Sequence, residues 1–541
     1  MIRSSAIISD VGRPSQTLLR RSWKWWLARW PLALIIVLTA LSYSVLAFGL
    51  NAHLATSGFD LGVYYEALRG YAHFGLPWVA LKGVHYDLLG DHFEPMLALL
   101  SPTYWVWPRP EVLLVDQALL VAFSVVPVWM FAERRFGGAP GTPILATTCL
   151  VGGYALAWEL QSLVGYDFHS LAFSVPILAA AIERADAGRW RAATVWILSL
   201  LLVKEDMALV VAAFGLYVLV LGRRRLGAVL FFVGAASFGL LTDVVIPALA
   251  VGGVYPHWSY QELGTGPWPA LRHVLAHPLS TLHLLVTPRV KLGLLAWTFL
   301  PGGLLALLSP VAVLAVPALL ERVLSERESV WQTKFQYNAP LAPIVGLAVI
   351  DGLWRTVRWY KARRAGSKPR AAPSAVEPFG TVSAMSRRPL AMGAGSAPSA
   401  VALLMVAVVV TAHFPLSLLL ADHFPLFQPF QPAAAVTAAE RLLPRGVLMA
   451  ASDNLVPVLL NRDEPIVMSA DSVCGSWALV DMKVVEYPYS TMSQLVDQLQ
   501  YMRGQDWQLV FDRAGIDLLH HRGPGNGGTV CRRNDPLLAP E

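Results

Sequence analysis

Leu200-Leu201-Leu202-Val203-Lys204-Glu205-Asp206-Met207-Ala208-Leu209 places three charges between two apolar runs with almost no loop. The runs, 191–204 and 207–221, read as two membrane helices joined by a charged turn. A tight turn with no further role would use Gly, Asn or Pro. Charges at membrane depth are costly, so they mark a functional site by default. Here a Lys–carboxylate pair could hold a phosphate beside an acid. The alternative is a neutralised salt-bridge network.

Working outward, the whole chain has the same character. Of its 541 residues 55% are hydrophobic and 14% charged, with a mean hydropathy of +0.51. Soluble domains carry about 25% charged residues. The fold class expected is therefore an α-helical polytopic membrane protein. About eleven spans are expected, near 30–50, 112–132, 143–162, 170–184, 191–204, 207–221, 226–248, 291–308, 310–324, 338–354 and 398–419. The pattern is weakest across 291–324, where Pro301-Gly302-Gly303 and Ser309-Pro310 interrupt it.

Basic residues set the direction. Arg20, Arg21, Lys24 and Arg29 precede the first span, with Trp23, Trp25 and Trp26 among them. Arg134-Arg135, then Arg184, Arg189 and Arg191, then Arg223-Arg224-Arg225, then 355–370 occupy alternate loops. This is the positive-inside pattern with a cytoplasmic N-terminus at 1–29. It accounts for the net charge of +6 without a nucleic-acid partner. The expected location is the plasma (inner) membrane, with a transmembrane core over 30–360 and outer loops at 51–111 and 249–290.

Segment 361–397, rich in Ala, Pro, Ser, Gly and Arg, reads as a disordered cytoplasmic linker. The last span, 398–419, then leaves 420–541 outside as a small α/β domain. Its expected elements are strands at Val447–Ala450 and Ile466–Ser469, a helix at Met492–Met502, and a hairpin over Leu509–Leu519 turning at Arg513-Ala514-Gly515. Cys474 and Cys531 share this region and could form a disulfide in an oxidising compartment. Cys149 lies in an apolar run and reads as a core residue.

Four acidic clusters fall at span ends on the outer side. Asp60, in Gly58-Phe59-Asp60-Leu61-Gly62, opens an amphipathic segment over 60–74 with Leu61, Tyr64, Tyr65, Leu68 and Tyr71 on one face. It is either the N-cap of a helix lying on the outer interface or a general base for an acceptor hydroxyl. Asp91, His92 and Glu94 stand together before Pro95. They suit a divalent metal, an acid/base pair, or a turn capping the next helix. Asp167 and His169 sit in a hairpin too short to hold a domain. The fourth cluster is Lys204-Glu205-Asp206.

Outer segment 251–291 adds Tyr255, His257, Trp258, Trp268, Arg272, Arg289 and Lys291. Aromatics suit sugar stacking and cations suit phosphate, though interfaces also collect aromatics. Lys334-Phe335-Gln336-Tyr337 raises the same two readings.

Several of these motifs, in order, resemble a bacterial multipass family known as domain of unknown function 2079. They are Phe59-Asp60-Leu61-Gly62, Asp91-His92-Phe93-Glu94-Pro95, the stretch ending Leu100-Ser101-Pro102-Thr103-Tyr104, and Asp167-Phe168-His169. They continue with Leu202-Val203-Lys204-Glu205-Asp206, Gln336-Tyr337 with Pro340 and Pro343, Ser452-Asp453-Asn454-Leu455-Val456-Pro457 and Asn461-Arg462. The family label carries no activity.

A second resemblance is architectural. A first span, an acid soon after it, an interfacial helix and many later spans look like the GT-C membrane glycosyltransferases. That likeness implies an inverting transfer of a sugar from a polyprenyl-phosphate donor to an envelope glycan, lipid or protein. It implies Asp60 as base, and Asp91 or Asp167 positioning the acceptor or binding a metal. Lys204, Arg289 and Lys291 would hold the donor phosphate. His92, Glu94, His169, Glu205 and Tyr337 would line the acceptor or sugar site. A transporter or flippase, or an envelope scaffold, is the alternative; transporters tend to place their sites near mid-membrane and to show internal repeats, and no repeat is evident here.

Overall fold

The structure, a computed structural model, describes residues 30–83, 86–136, 144–364, 397–421, 430–469 and 475–521. Cys474, Cys531 and nearly all of the expected linker lie outside these residues. The chain folds into a helical bundle with a small sheet domain near its C-terminal end.

Four helices are long and apolar enough to cross a membrane: Trp30–Ala52 (α1), Glu111–Phe136 (α3), Arg224–Leu249 (α9) and Gln336–Arg364, of which Leu341–Arg364 is α14. Between them lie shorter helices. Val63–Ala72 is α2, Ile144–Ala155 α4, Trp158–Val164 α5, Ser174–Asp186 α6, Trp190–Ser199 α7 and Met207–Val220 α8. Later come Pro267–Ala276 (α10), Pro278–Val286 (α11), Val290–Phe299 (α12), Ala315–Leu324 (α13) and Ala397–Thr411 (α15). Across 291–324 the two expected spans are one ten-residue helix, two short 3-10 turns and α13. Pro301 and Pro310 lack the N–H that a continuous helix needs.

Helix α3 is central. It packs on α1, α4, α6 and α14. Helices α8 and α9 form the tightest pair, with backbones in direct approach: a Cβ on Gly215 would stand 2.4 Å from Phe231 N, and one on Gly234 2.4 Å from Ala212 N. Small residues at such crossings are how membrane helices gain contact.

At one end of the bundle an arginine cluster ties α3, α6 and α14 together. Arg134 pairs with Glu183 and, through Nε, with Asp186 at 3.1 Å. Arg135 donates to both oxygens of Asp186 at 3.0 Å and to Asp351 Oδ1 at 2.9 Å. Asp351 Oδ2 accepts from Arg355 Nε and Ser309 Oγ, both at 2.7 Å.

The amphipathic segment after α1 departs from expectation. Gly58–Gly62 is a π-helical turn, and α2 follows it. The cap is Ser57, whose Oγ accepts from Asp60 N–H at 3.0 Å, so Asp60 lies inside the turn. Helix α2 does not lie on a surface: Val63, Tyr64, Tyr65, Glu66, Ala67 and Leu68 are all buried. The loop that follows folds back over it, and Glu66 accepts Leu81 N–H at 2.9 Å.

The sheet domain follows the expected pattern and adds a strand. Leu448–Ala451 (β1), Glu464–Val467 (β2), Trp477–Asp481 (β3), Trp507–Arg513 (β4) and Ile516–His521 (β5) take the order β2-β1-β3-β5-β4. Strand β1 is parallel to β2 and β3, whereas β5 is antiparallel to β3 and β4. The hairpin turns at Ala514-Gly515, both with positive φ. Helix α17 (Met492–Gly504; α16 is Gln431–Glu440) opens on a capping box between Thr491 and Gln494 and buries Leu495, Leu499 and Met502 against this sheet.

Candidate active site

Three separate stretches meet at the bundle end away from the arginine cluster. The meeting point is organised from α3 by Gln117, which is fully buried. Its Nε2 donates to the carbonyls of Asp167 at 2.5 Å and Leu163 at 3.3 Å, and its Oε1 accepts His169 N–H at 3.0 Å. One side-chain amide thus clamps both ends of Asp167-Phe168-His169. Asp167 is held at φ +51°, in the left-handed region that non-glycine residues seldom occupy. Such a conformation persists where surrounding contacts enforce it.

The clamp aims Asp167 and His169 at the Asp60 turn. Asp167 Oδ2 accepts Ser57 N–H at 3.0 Å, and His169 Nε2 lies 3.7 Å from Asp60 Oδ1. Asp60 keeps 25% of its side chain exposed, whereas His169 keeps 6%. Tyr166 stacks parallel to His169, with centroids 5.8 Å apart, and Tyr64 packs edge-on against it. Burial, and then the Asp60 charge, push Asp167 well above the usual carboxylate range, against the Ser57 hydrogen bonds. Burial holds His169 down at about 4, with Lys204 adding to the effect and Asp60 opposing it. A carboxyl group pushed up, an imidazole held down and the Asp60 side chain therefore share one site, the separation of roles that acid–base chemistry requires.

The Asp91 block has a different character. Asp91 is paired with Lys82, and its Oδ1 accepts from His257 Nε2 at 2.8 Å. Glu205, 1% exposed, accepts from His92 Nδ1 at 2.8 Å, Tyr255 hydroxyl at 3.0 Å and Phe93 N–H at 3.1 Å. The rings of His92 and His257 stack at 3.8 Å. Burial raises Asp91, but Lys82 and the two histidines outweigh it and hold the group well below its ordinary value. His257 is depressed to about 4 by burial and then His92. Burial and then Lys204 lower His92 well below its ordinary value. Each neutral imidazole therefore donates to its own carboxylate, which fixes its tautomer.

Glu94 turns elsewhere: its Oε1 accepts from Tyr64 hydroxyl at 3.3 Å, and burial lifts it to about 7. Asp91, His92 and Glu94 thus face three different partners and do not fit one ion. Among the described residues no three His, Cys, Asp or Glu side chains are set to share a metal. The metal, one of the readings open for this block, has no shared ligand set among the described residues.

Lys204 is half-buried and forms no ion pair with any described residue. It stands within electrostatic reach of Asp206 first, then Glu205, Glu94 and Tyr337, and also of His169. Tyr337 adjoins Phe335, whose ring meets Tyr166 edge-on at 4.7 Å. Arg289 and Lys291 belong elsewhere. Arg289 is exposed at the start of α12. Lys291 is buried, donates to Leu284 carbonyl at 3.0 Å and lies over the Trp331 ring. Neither makes a hydrogen bond or ion pair with the cluster, and Lys291 is already occupied.

Three partners escaped the sequence reading: Gln117, Lys82 and Ser57. Gln117 carried a signal, as an amide inside a long apolar helix; Asp453 had appeared only within the tail motif, with no role attached. All of them, and every residue of the cluster, lie within residues 51–474, which match the family model described as "Predicted membrane protein (DUF2079)". The chain belongs to this family. It is accordingly membrane-embedded, as the family's description says. No curated protein matches the sequence. Among solved structures the chain is similar to ArnT from Cupriavidus metallidurans in the apo state, at 12% identity and a TM-score of 0.48, over 94% of this chain and 100% of that one. It is also similar to ArnT from the same organism bound to undecaprenyl phosphate, at 13% identity and a TM-score of 0.46, over 90% and 97%.

Proposed function

We propose that this family member is a membrane glycosyltransferase, inverting and GT-C-like, using a polyprenyl-phosphate sugar on the extracytoplasmic face. One observation carries the reading. A partly exposed carboxyl group, Asp60, lies beside a buried acid and a neutral histidine, and that histidine is also within reach of Lys204, which makes no direct ion pair among the described residues. A base and a lysine free of any direct ion pair, close to one another, suit transfer from a lipid phosphate.

In this mechanism Asp60 takes the proton of the acceptor hydroxyl. The acceptor oxygen forms a bond to the anomeric carbon as the bond from that carbon to the phosphate oxygen breaks. The electron pair leaves with the lipid phosphate, whose charge Lys204 balances. Asp167, beside Asp60, hydrogen-bonds the acceptor and orients it. Glu205 and Asp91 hold His92 and His257 in place, a positioning role in place of the acceptor contact expected of Glu205. No step uses a metal.

The same reading assigns direction. The arginine cluster faces the cytoplasm by the positive-inside rule, which puts Asp60 and the sheet domain outside. Labelling of single cysteines at Ser374 and Asn526 from opposite sides supports this; labelling of both from one side defeats it. The function is tested by transfer from a labelled polyprenyl-phosphate sugar in membrane extracts, comparing the wild-type chain with Asp60→Asn. Equal turnover would remove Asp60 as base.

A further inference from the structure

The first N–H groups of a helical segment have no partner inside it. In the Asp60 turn they are met from outside. Ser57 N–H donates to Asp167 in the core hairpin, and Phe59 N–H donates to Asp453 Oδ1 at 3.0 Å. Asp453 lies 394 positions further along, in the sheet domain. Its side chain is 5% exposed and forms no hydrogen bond within its own domain among the described residues. A buried carboxyl with no local partner is a liability to that domain alone.

The rest of the contact is shaped around this bond. A Cβ on Gly58 would stand 2.8 Å from Val456 Cβ and 2.9 Å from Asp453 Oδ1, so only glycine lets the domain seat this closely. Tyr487 meets Phe59 edge-on at 4.8 Å. From this geometry we infer that Asp453 is a positioning residue for Asp60, and that the sheet domain completes the active site.

The inference rests on Asp60 acting as the base. Burial and then Glu486 push Asp453 up to about 8, against the pull of the Phe59 and Gly58 N–H groups. The role is therefore that of an acceptor oxygen, which an amide also supplies. In the full-length chain in lipid nanodiscs, Asp453→Asn is expected to keep kcat within about fivefold of wild type. Asp453→Leu, similar in size but without the acceptor, is expected to lower kcat about 10²-fold with donor KM unchanged. Amide hydrogen exchange over 57–60 should rise in the Leu variant and not in the Asn variant, while β1 and β3 stay protected.

Wild-type kcat in Asp453→Leu, or unaltered exchange at 57–60, would overturn the proposal. If β1 and β3 also exchange faster in that variant, Gly58→Ala decides. It disturbs the seat without entering the domain core, and it should raise exchange at 57–60 and lower kcat; protection equal to wild type would overturn the inference. Exchange requires no turnover. If the wild-type chain transfers no sugar, glycosyl transfer is what fails, and the contact is still judged by exchange.

Discussion

The arginine cluster and the Asp60 cluster both set charges among apolar helices, and they are finished in opposite ways. Arg134, Arg135, Glu183, Asp186, Asp351 and Arg355 meet each other in pairs, and Asp351 alone receives Arg135, Arg355 and Ser309. None of their buried side-chain atoms lacks a partner. In the other cluster Asp167 Oδ1, His169 Nε2 and Glu94 Oε2 are buried without a hydrogen bond among the described residues, and Lys204 has no ion pair there. Native interiors leave few polar atoms unmatched, so a concentration of them at one end calls for an explanation. Saturation holds helices together; open valence is kept for something that arrives.

The difference can be broken experimentally, beginning with the largest effect. Asp60→Asn should lower kcat by about 10²–10⁴-fold, the usual contribution of a general base, while the unfolding midpoint in detergent stays near wild type. Arg135→Ala should do the reverse. Leaving Asp186 and Asp351 partly unpaired costs about 3–5 kcal/mol of stability, read as a lower thermal midpoint, with kcat per folded molecule retained. If Asp60→Asn proves the more destabilising of the two, the contrast is wrong.

Lys204→Met should raise donor KM about tenfold or more and lower kcat as well, because the phosphate that Lys204 holds gains charge as it leaves. A KM equal to wild type would move the phosphate elsewhere. Gln117→Leu removes a buried clamp; a loss of about 1–3 kcal/mol should accompany a fall in kcat, since Asp167 and His169 lose their register.

The smallest effect concerns pH. Glu94 is raised to about 7 by burial, whereas in the unfolded chain it titrates near 4.5. Between these values the folded chain holds a proton that the unfolded chain has released. Stability therefore falls as pH rises through that window and levels off above it. Glu94→Gln should flatten this slope in a series of thermal midpoints measured from pH 4.5 to 7.5.

Much of this was readable from local pattern, because apolar run length and strand alternation are properties of neighbours. Strands near 448 and 464, the helix at 492 and the hairpin at 514–515 follow from alternation and turn chemistry. Strand β3 was missed: its Trp477-Ala478-Leu479-Val480 run is short and apolar without alternation. The Asp60 cap was misread because Ser57, three residues earlier, offers the better acceptor geometry. The partners of the site were least legible. His92 finds Glu205 across 113 residues, and Phe59 finds Asp453 across 394. No spacing rule spans such intervals; only the packing of the helices brings these groups together. Arg289 and Lys291 show the converse, since their charge suited a phosphate and their place in the fold did not.

Helix α3 carries Gln117 near one end and Arg135 near the other, eighteen residues apart, or about 27 Å at 1.5 Å per residue. The helix, with Pro127 between the two residues, thus sets the distance from the arginine cluster to the Asp167 clamp. Its length is close to the ~30 Å hydrocarbon thickness of a bilayer. A thicker bilayer cannot draw the two ends apart; it can only bring the helix upright, thin locally around it, or submerge one end. If the arginines anchor at one water surface, as proposed above, the end that sinks is the one carrying Gln117. In a series of lipids of increasing chain length, access of water-borne acceptors to the site should fade while the fold stays intact.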